Sequence, residues 1–173
     1  CIIVAGGTIR INDAGESCPD WPQCFRTWGF DISEEEQGVY WDENPDEIDS
    51  RGIDHRYTTF EIFSEWFHRL LVGIIALPVL LNAIIAYKMI ETYGKTVFRT
   101  TLFSGILLII QALVGALTVS FDNVDWSVAL HLSLASIFTS SFLFQHFAMR
   151  RQEQSRWELF SMNPEFVAAN KTR

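Results

Sequence analysis

Three long stretches of this chain are apolar on nearly every face, and that restricts its fold more than any other feature. They follow one another within residues 61–149, the first reading "EIFSEWFHRLLVGIIALPVLLNAIIAY" from Glu61 to Tyr87. A helix in water shows one apolar stripe and one polar stripe, whereas a helix apolar all round needs apolar surroundings. Each stretch has about twenty residues, enough at ~1.5 Å per residue to span a ~30 Å hydrocarbon layer. The sequence therefore predicts an all-α integral membrane four-helix bundle with the first helix truncated, because "CIIVAGGTIR" reads as the last turns of an earlier span.

The expected layout has four parts. Residues 1–9 end the first helix, and residues 10–59 form an acidic extracytoplasmic loop with a cysteine pair. Residues 60–149 hold the remaining spans, near Phe60–Tyr87, Val97–Val119 and Ser127–Met149. Residues 150–173 make a cytoplasmic tail or linker, with helical potential in "RWELF". "KMIETYGKTVFR" is the expected connection between the second and third spans. Trp126, in the turn "SFDNVDW", is of the type that favours the membrane interface. Orientation follows from the cations: Lys88, Lys95 and Arg99 flank one connection, and Arg150, Arg151 and Arg156 follow the last span. The positive-inside rule puts both basic segments in the cytoplasm and residues 10–59 outside, in a multi-pass protein of the cell membrane.

A net charge of −8 argues against nucleic acid as a partner, since phosphates need a basic patch. Membrane lipid is the expected surrounding. The acidic run "DISEEEQGVYWDENPDEIDSRGIDH" reads as a solvated loop with short helical or turn pieces. A cation site is the sharper reading, but "DENPDEID" lacks the glycine and spacing of an EF-hand loop.

Titratable groups inside an apolar span require a reason. His68 lies about eight residues inside the second span, and His131 about five residues beyond Trp126 in the fourth. Those spans run in the same direction, so both imidazoles fall roughly 8–12 Å below the outer surface. Equal depth on parallel helices is what holding one haem iron from both faces requires, and helix bundles build cofactor sites in this way. The plainer alternative is a histidine that hydrogen-bonds across helices.

Glu65 precedes His68 by three residues and shares its helix face. It reads as a salt-bridge partner of Arg69, as an acid or base beside a cofactor, or as each in turn. Arg69 is a candidate for a haem propionate. Gln111 is the span amide expected to touch a bound ligand, while Asn82, Gly115 and Pro78 read as packing features. His146 lies fifteen residues from His131, roughly 22 Å along a helix, and reads as an interfacial anchor. His55 reads as solvated. Cys18 and Cys24 in "SCPDWPQC" favour a disulfide over zinc, with a redox-active pair as the alternative. Cys1 reads as a lone thiol.

Five pieces in order carry a family resemblance: "GGTIR" at Gly6–Arg10, "SCPDWPQC" at Ser17–Cys24, "SEWFHR" at Ser64–Arg69, "QALVGALTV" at Gln111–Val119 and "HLSLA" at His131–Ala135. With them the chain resembles the N-terminal half, or a half-length form, of prokaryotic haem A synthases. That resemblance implies a membrane oxidoreductase that converts the C8 methyl group of haem O into the formyl group of haem A for terminal oxidases. Two hydroxylations followed by loss of water are implied. It makes His68 and His131 axial iron ligands, Glu65 the essential carboxylate, Arg69 and Gln111 cofactor contacts, and Cys18–Cys24 the external cysteine pair. Haem O is the implied substrate, and haem b is expected in a second bundle or in a partner copy. Haem O synthase, terminal oxidase assembly factors and a second copy of the chain are the implied protein partners. The chain departs from the family in its long acidic loop and in lacking the second bundle. Outside the family, the alternatives are a bis-histidine b-type cytochrome for electron transfer and a membrane structural subunit.

Overall fold

The computed structural model describes residues 2–162, so Cys1 and residues 163–173 of the expected tail lie outside the described residues. Among the described residues it is all-α, with α1 (Ile2–Ile11), α2 (Glu34–Glu43), a short 3-10 turn (Pro45–Glu47), α3 (Thr59–Lys88), α4 (Ile90–Ser120) and α5 (Asp125–Met162). The last three are long and apolar enough to cross a membrane, with mean hydropathy of 2.4, 2.3 and 1.6 over their most apolar windows. Their apolar side chains point outward: Leu77, Ile109 and Phe147 are all more than 60% exposed, as lipid-facing residues would be.

The chain forms two compact units. One comprises residues up to Pro78 together with Leu108–Ser136, and the other comprises Val79–Leu107 and the chain from Ile137 onward. In the first unit, the segment between α1 and α3 differs from the expected solvated loop. It has a core of its own, in which Cys18, Cys24, Phe25, Ile32, Tyr40, Trp41, Tyr57 and Ile62 are buried. The reason lies in α2, where Gln37, Tyr40, Trp41 and the following Asn44 are buried at helical spacing while Glu34, Glu35, Asp42 and Glu43 are exposed. The acids dominate the composition, yet they occupy one face only. A capping box between Ser33 and Glu36 starts this helix. Gln37 then ties it to the entrance of α3: its amide donates to the Ile32 and Tyr57 carbonyls (3.3 and 3.0 Å), and its Oε1 accepts from the Tyr57 N–H (2.8 Å).

Thr58 and Glu61 form a second reciprocal cap at the start of α3, with Thr58 N–H donating to Glu61 Oε2 at 2.8 Å. The α4–α5 turn passes through Asp122 and Asn123 in the left-handed region (φ 48° and 50°). Gly15 leaves room for this turn, since a Cβ there would meet Asn123 Nδ2 at 2.8 Å. Arg10 at the end of α1 pairs with Asp125 at the start of α5 (2.8 Å). His55 departs from the expected solvated state: its ring packs edge-on against Tyr57, and its Nε2 lies 3.2 Å from Arg51 Nη1.

In the second unit, α4 begins at Ile90, earlier than expected, and breaks at Gly94 (φ 82°, ψ 164°), a conformation open to glycine. The expected connection is thus mostly helical. Likewise α5 runs past the expected end at Met149 to Met162, because the polar residues there include good helix formers. Ser104 and Ser141 share a buried hydrogen bond of 2.7 Å near the buried Thr101 and Gln145.

Candidate functional site

The candidate site is built within the first unit. His68 stands nine residues after Thr59 in α3, and His131 six residues after Asp125 in α5. His131 lies within electrostatic reach of both His68 and Glu65, so the three groups share one neighbourhood. Each imidazole is backed by a glycine on another helix. A Cβ at Gly6 of α1 would meet His68 Cε1 at 3.3 Å, and one at Gly115 of α4 would meet His131 Cε1 at 2.9 Å. Gly115 was expected to permit helix approach, and what it admits is the ring itself. Gly6 is a site residue that the sequence reading missed, although it lies in the motif "GGTIR".

Gln111 of α4 donates to the His131 carbonyl (2.8 Å), with its Nε2 3.3 Å from His131 Nε2. Its amide nitrogen holds the histidine, while its Oε1 is buried without a hydrogen-bond partner among the described residues. Glu65 is 7% exposed, and its Oε1 accepts from Arg69 Nε at 2.9 Å, one helical turn further on. The guanidinium is also held by the cysteine loop. Its Nη1 donates to the carbonyls of Asp20 and Gln23, and its Nη2 to that of Cys18 (2.7 Å). Four of its five N–H groups are thus engaged by the protein. This carbonyl cage is a second feature that the sequence reading missed.

The cage is formed by the cysteine loop, in which the sulfurs of Cys18 and Cys24 lie 1.98 Å apart and the residues are 0% and 1% exposed. Trp66 of α3 ties the next stretch down by donating to the Trp28 carbonyl (2.8 Å). Further out, Arg51 is the centre of a polar cluster. It donates to the Asp13 carbonyl, lies 4.0 Å from Glu16 and 3.8 Å from Glu61, and stacks over Tyr57 at 4.8 Å. Burial raises the pKa of Glu16 above the usual carboxylate value; a hydrogen bond from Ser50 and the charge of Arg51 oppose the shift, while Asp49 and Asp122 reinforce it. Burial and hydrogen bonds to Glu47 and Asp49 likewise raise the phenols of Tyr40 and Tyr57. His146 is exposed in the second unit.

These residues suit a haem. Two imidazoles supply nitrogen donors of the type that haem iron accepts. Nδ1 of His68 and Nδ1 of His131 are both buried without a hydrogen-bond partner among the described residues, so each ring carries an unanswered polar atom. No group of three or more His, Cys, Asp or Glu side chains gathers around a point among the described residues. Such a pair suits an iron that brings its remaining ligands with it, as a porphyrin does.

Comparison with known proteins agrees with this chemistry. The chain is 26% identical over 137 residues to the haem A synthase of Geobacillus kaustophilus, covering 79% of the chain and 35% of that protein. It is 26% identical over 141 residues to that of Shouchella clausii (81% and 38%), and 39% identical over 79 residues to that of Bacillus pumilus (46% and 26%). The chain therefore spans well under half the length of these relatives. None of them supports the electron-transfer cytochrome considered as an alternative. No solved structure matches the chain significantly. The model for the cytochrome oxidase assembly proteins matches residues 1–170. The chain belongs to the COX15-CtaA family of cytochrome oxidase assembly proteins.

Proposed function

We propose that the chain forms the haem O-binding half of a haem A synthase, in which the C8 methyl group of haem O is oxidised to the formyl group of haem A. The observation that carries this reading is the pair of imidazoles, His68 and His131, each seated against a glycine and each with Nδ1 buried without a partner among the described residues. Haem O, as substrate, brings the iron and the conjugated ring bearing the methyl carbon. His68 and His131 would hold that iron, supplying nitrogen donors of the kind haem iron accepts. Gln111 holds the backbone and ring of His131. Glu65 would serve as an acid or base at the edge of the bound ring. Arg69 engages its Oε1.

The finer expectations belong to the same proposal. The segment 10–59 lies outside the cell membrane with Cys18 and Cys24 joined as a disulfide. Haem b occupies a further bundle or a second copy of the chain. Haem O synthase and terminal oxidase assembly factors are the protein partners.

The test has two parts. Purified protein in detergent, titrated with haem, gives a Soret band that His68→Ala and His131→Ala each weaken at least about tenfold; a preparation that stays colourless overturns the reading. Glu65→Gln keeps the Soret band, but membranes supplied with haem O then form no haem A by pigment extraction and mass spectrometry. Undiminished haem A removes Glu65 from the reaction.

A further inference from the structure

The geometry points to Arg69 as a positioning residue that couples the carboxylate of Glu65 to the backbone of the cysteine loop. This inference rests on the proposed role of Glu65 and adds a residue that acts through it. A salt bridge to Glu65 alone would use one or two of the five guanidinium donors. Here Nε goes to Glu65 Oε1, while Nη1 and Nη2 reach three carbonyls, those of Cys18, Asp20 and Gln23, 46 to 51 residues away in the chain. The Arg69 side chain is 11% exposed and that of Glu65 9%, so little water competes for these bonds.

Three convergent carbonyls on one cation constitute a built receptor. Backbone carbonyls cannot rotate to choose a partner; the loop must be folded for all three to point inward. Cys18 and Cys24, nearly at the ends of that stretch, are both buried and hold it in shape. A planar fork matches several acceptors at fixed angles, which an ammonium group does not do as well. The loop therefore sets where the guanidinium lies, and the guanidinium sets where Glu65 Oε1 lies. In the other direction, the charge of Glu65 helps to hold the guanidinium against the loop, since hydrogen bonds to an ionised partner are the stronger kind. In this positioning role Arg69 acts through Glu65.

Coupling of this kind is reciprocal and is measurable without any haem. A dithiol reductant reaches the buried Cys18–Cys24 pair once the loop opens, and the thiols formed are counted by mass-tagged maleimide. In detergent-purified protein, Arg69→Ala raises the reduction rate by about tenfold or more, as expected from losing several charge-assisted bonds. Arg69→Lys gives a smaller rise, because an ammonium group can keep Glu65 and one carbonyl. Glu65→Gln raises the rate severalfold when Arg69 is present and leaves it unchanged in the Arg69→Ala background. Equal effects of Glu65→Gln in both backgrounds, or no effect in either, overturn the coupling. Should Arg69→Ala lose its helical circular dichroism, the same cycle is run with Arg69→Gln, which removes the charge that holds Glu65 while keeping bulk. Because the readout is thiol exposure, the Soret titration can fail while this coupling stands, and the reverse is equally true.

Discussion

Gly115 and His131 occupy interlocking space: a Cβ added to the glycine would stand 2.9 Å from the imidazole Cε1, closer than side chains tolerate. The counterpart contact, Gly6 against His68, is looser at 3.3 Å, and the neighbouring Gly7 has nothing within 4 Å. A ranked prediction follows from these three values. Gly115→Ala displaces the His131 ring and lowers haem affinity by about tenfold, in keeping with the usual cost of overpacking. Gly6→Ala has a smaller effect, and Gly7→Ala none. Soret titration of the three variants checks the order; equal affinities, or a stronger effect at Gly7, would contradict the seating of the rings.

How much of this was legible in the sequence depends on the range of the interaction. The three apolar helices and the placing of His68 beside Glu65 follow from local spacing, because a helix fixes which residues share a face. The backing of His68 by Gly6 was not legible, since nothing in "GGTIR" says which side chain will lie against a missing Cβ. The Arg69 cage was hidden for a related reason: its acceptors are backbone carbonyls, which every residue possesses. The segment between α1 and α3 reads as solvated in the sequence because its acids outnumber its aromatic residues. The burial of Gln37, Tyr40, Trp41 and Asn44 follows instead from their positions one helical turn apart. His55 was missed along with it, since its partners, Tyr57 and Arg51, belong to the same packed segment.

Glu16 should make the outer segment pH-sensitive in an unusual direction. Its folded-state pKa lies above the ordinary value of 4.5, chiefly because it is buried. Between the two values the folded protein holds the extra proton, so the contribution is most favourable below about 4.5 and is lost as pH rises through the folded value. Wild-type protein therefore loses more thermal stability between about pH 4 and pH 7 than Glu16→Gln does, as read by near-ultraviolet circular dichroism of the aromatic core. An identical pH slope in the two proteins rejects the assignment. Comparison with the variant isolates Glu16 from exposed acids such as Glu36, whose pKa is lowered by its bonds to Ser33 and whose contribution has the opposite sign.

Gln37 is 0% exposed and satisfies three backbone groups. Gln37→Ala leaves the Tyr57 N–H and two carbonyls without these bonds and opens a cavity beside Trp41. Each unsatisfied buried group costs roughly 1–3 kcal/mol. Limited proteolysis should therefore cut within residues 30–58 at least about tenfold faster than in wild type, while the helices of the membrane spans resist. Unchanged cleavage would mean that the segment does not depend on this amide.

Cys18 and Cys24 are both buried and lie in bonding contact, so two results are expected together. Folded protein resists maleimide at both positions, and denatured, unreduced protein yields a single linked peptide spanning Cys18 and Cys24 by mass spectrometry. Two alkylated thiols after denaturation without reductant would remove the disulfide and, with it, the constraint on the loop that Arg69 grips.

Ser104 and Ser141 offer a contrasting case inside the second unit. Their hydroxyl oxygens lie 2.7 Å apart, and each also has a carbonyl of its own helix within reach, Thr100 for Ser104 and Phe138 for Ser141, so one hydroxyl donates across while the other donates within its helix. Removing one hydroxyl therefore leaves the other with an acceptor, so the loss is limited to the interhelical bond. Such bonds between membrane helices average about 0.6 kcal/mol. Ser104→Ala and Ser141→Ala should each destabilise the protein by less than about 1 kcal/mol, and the double variant by little more than either single one. Unfolding of the single and double variants in mixed detergent measures this. Strongly additive losses would show that each serine makes a separate contribution, and the shared bond would then not be what joins α4 to α5 at this level.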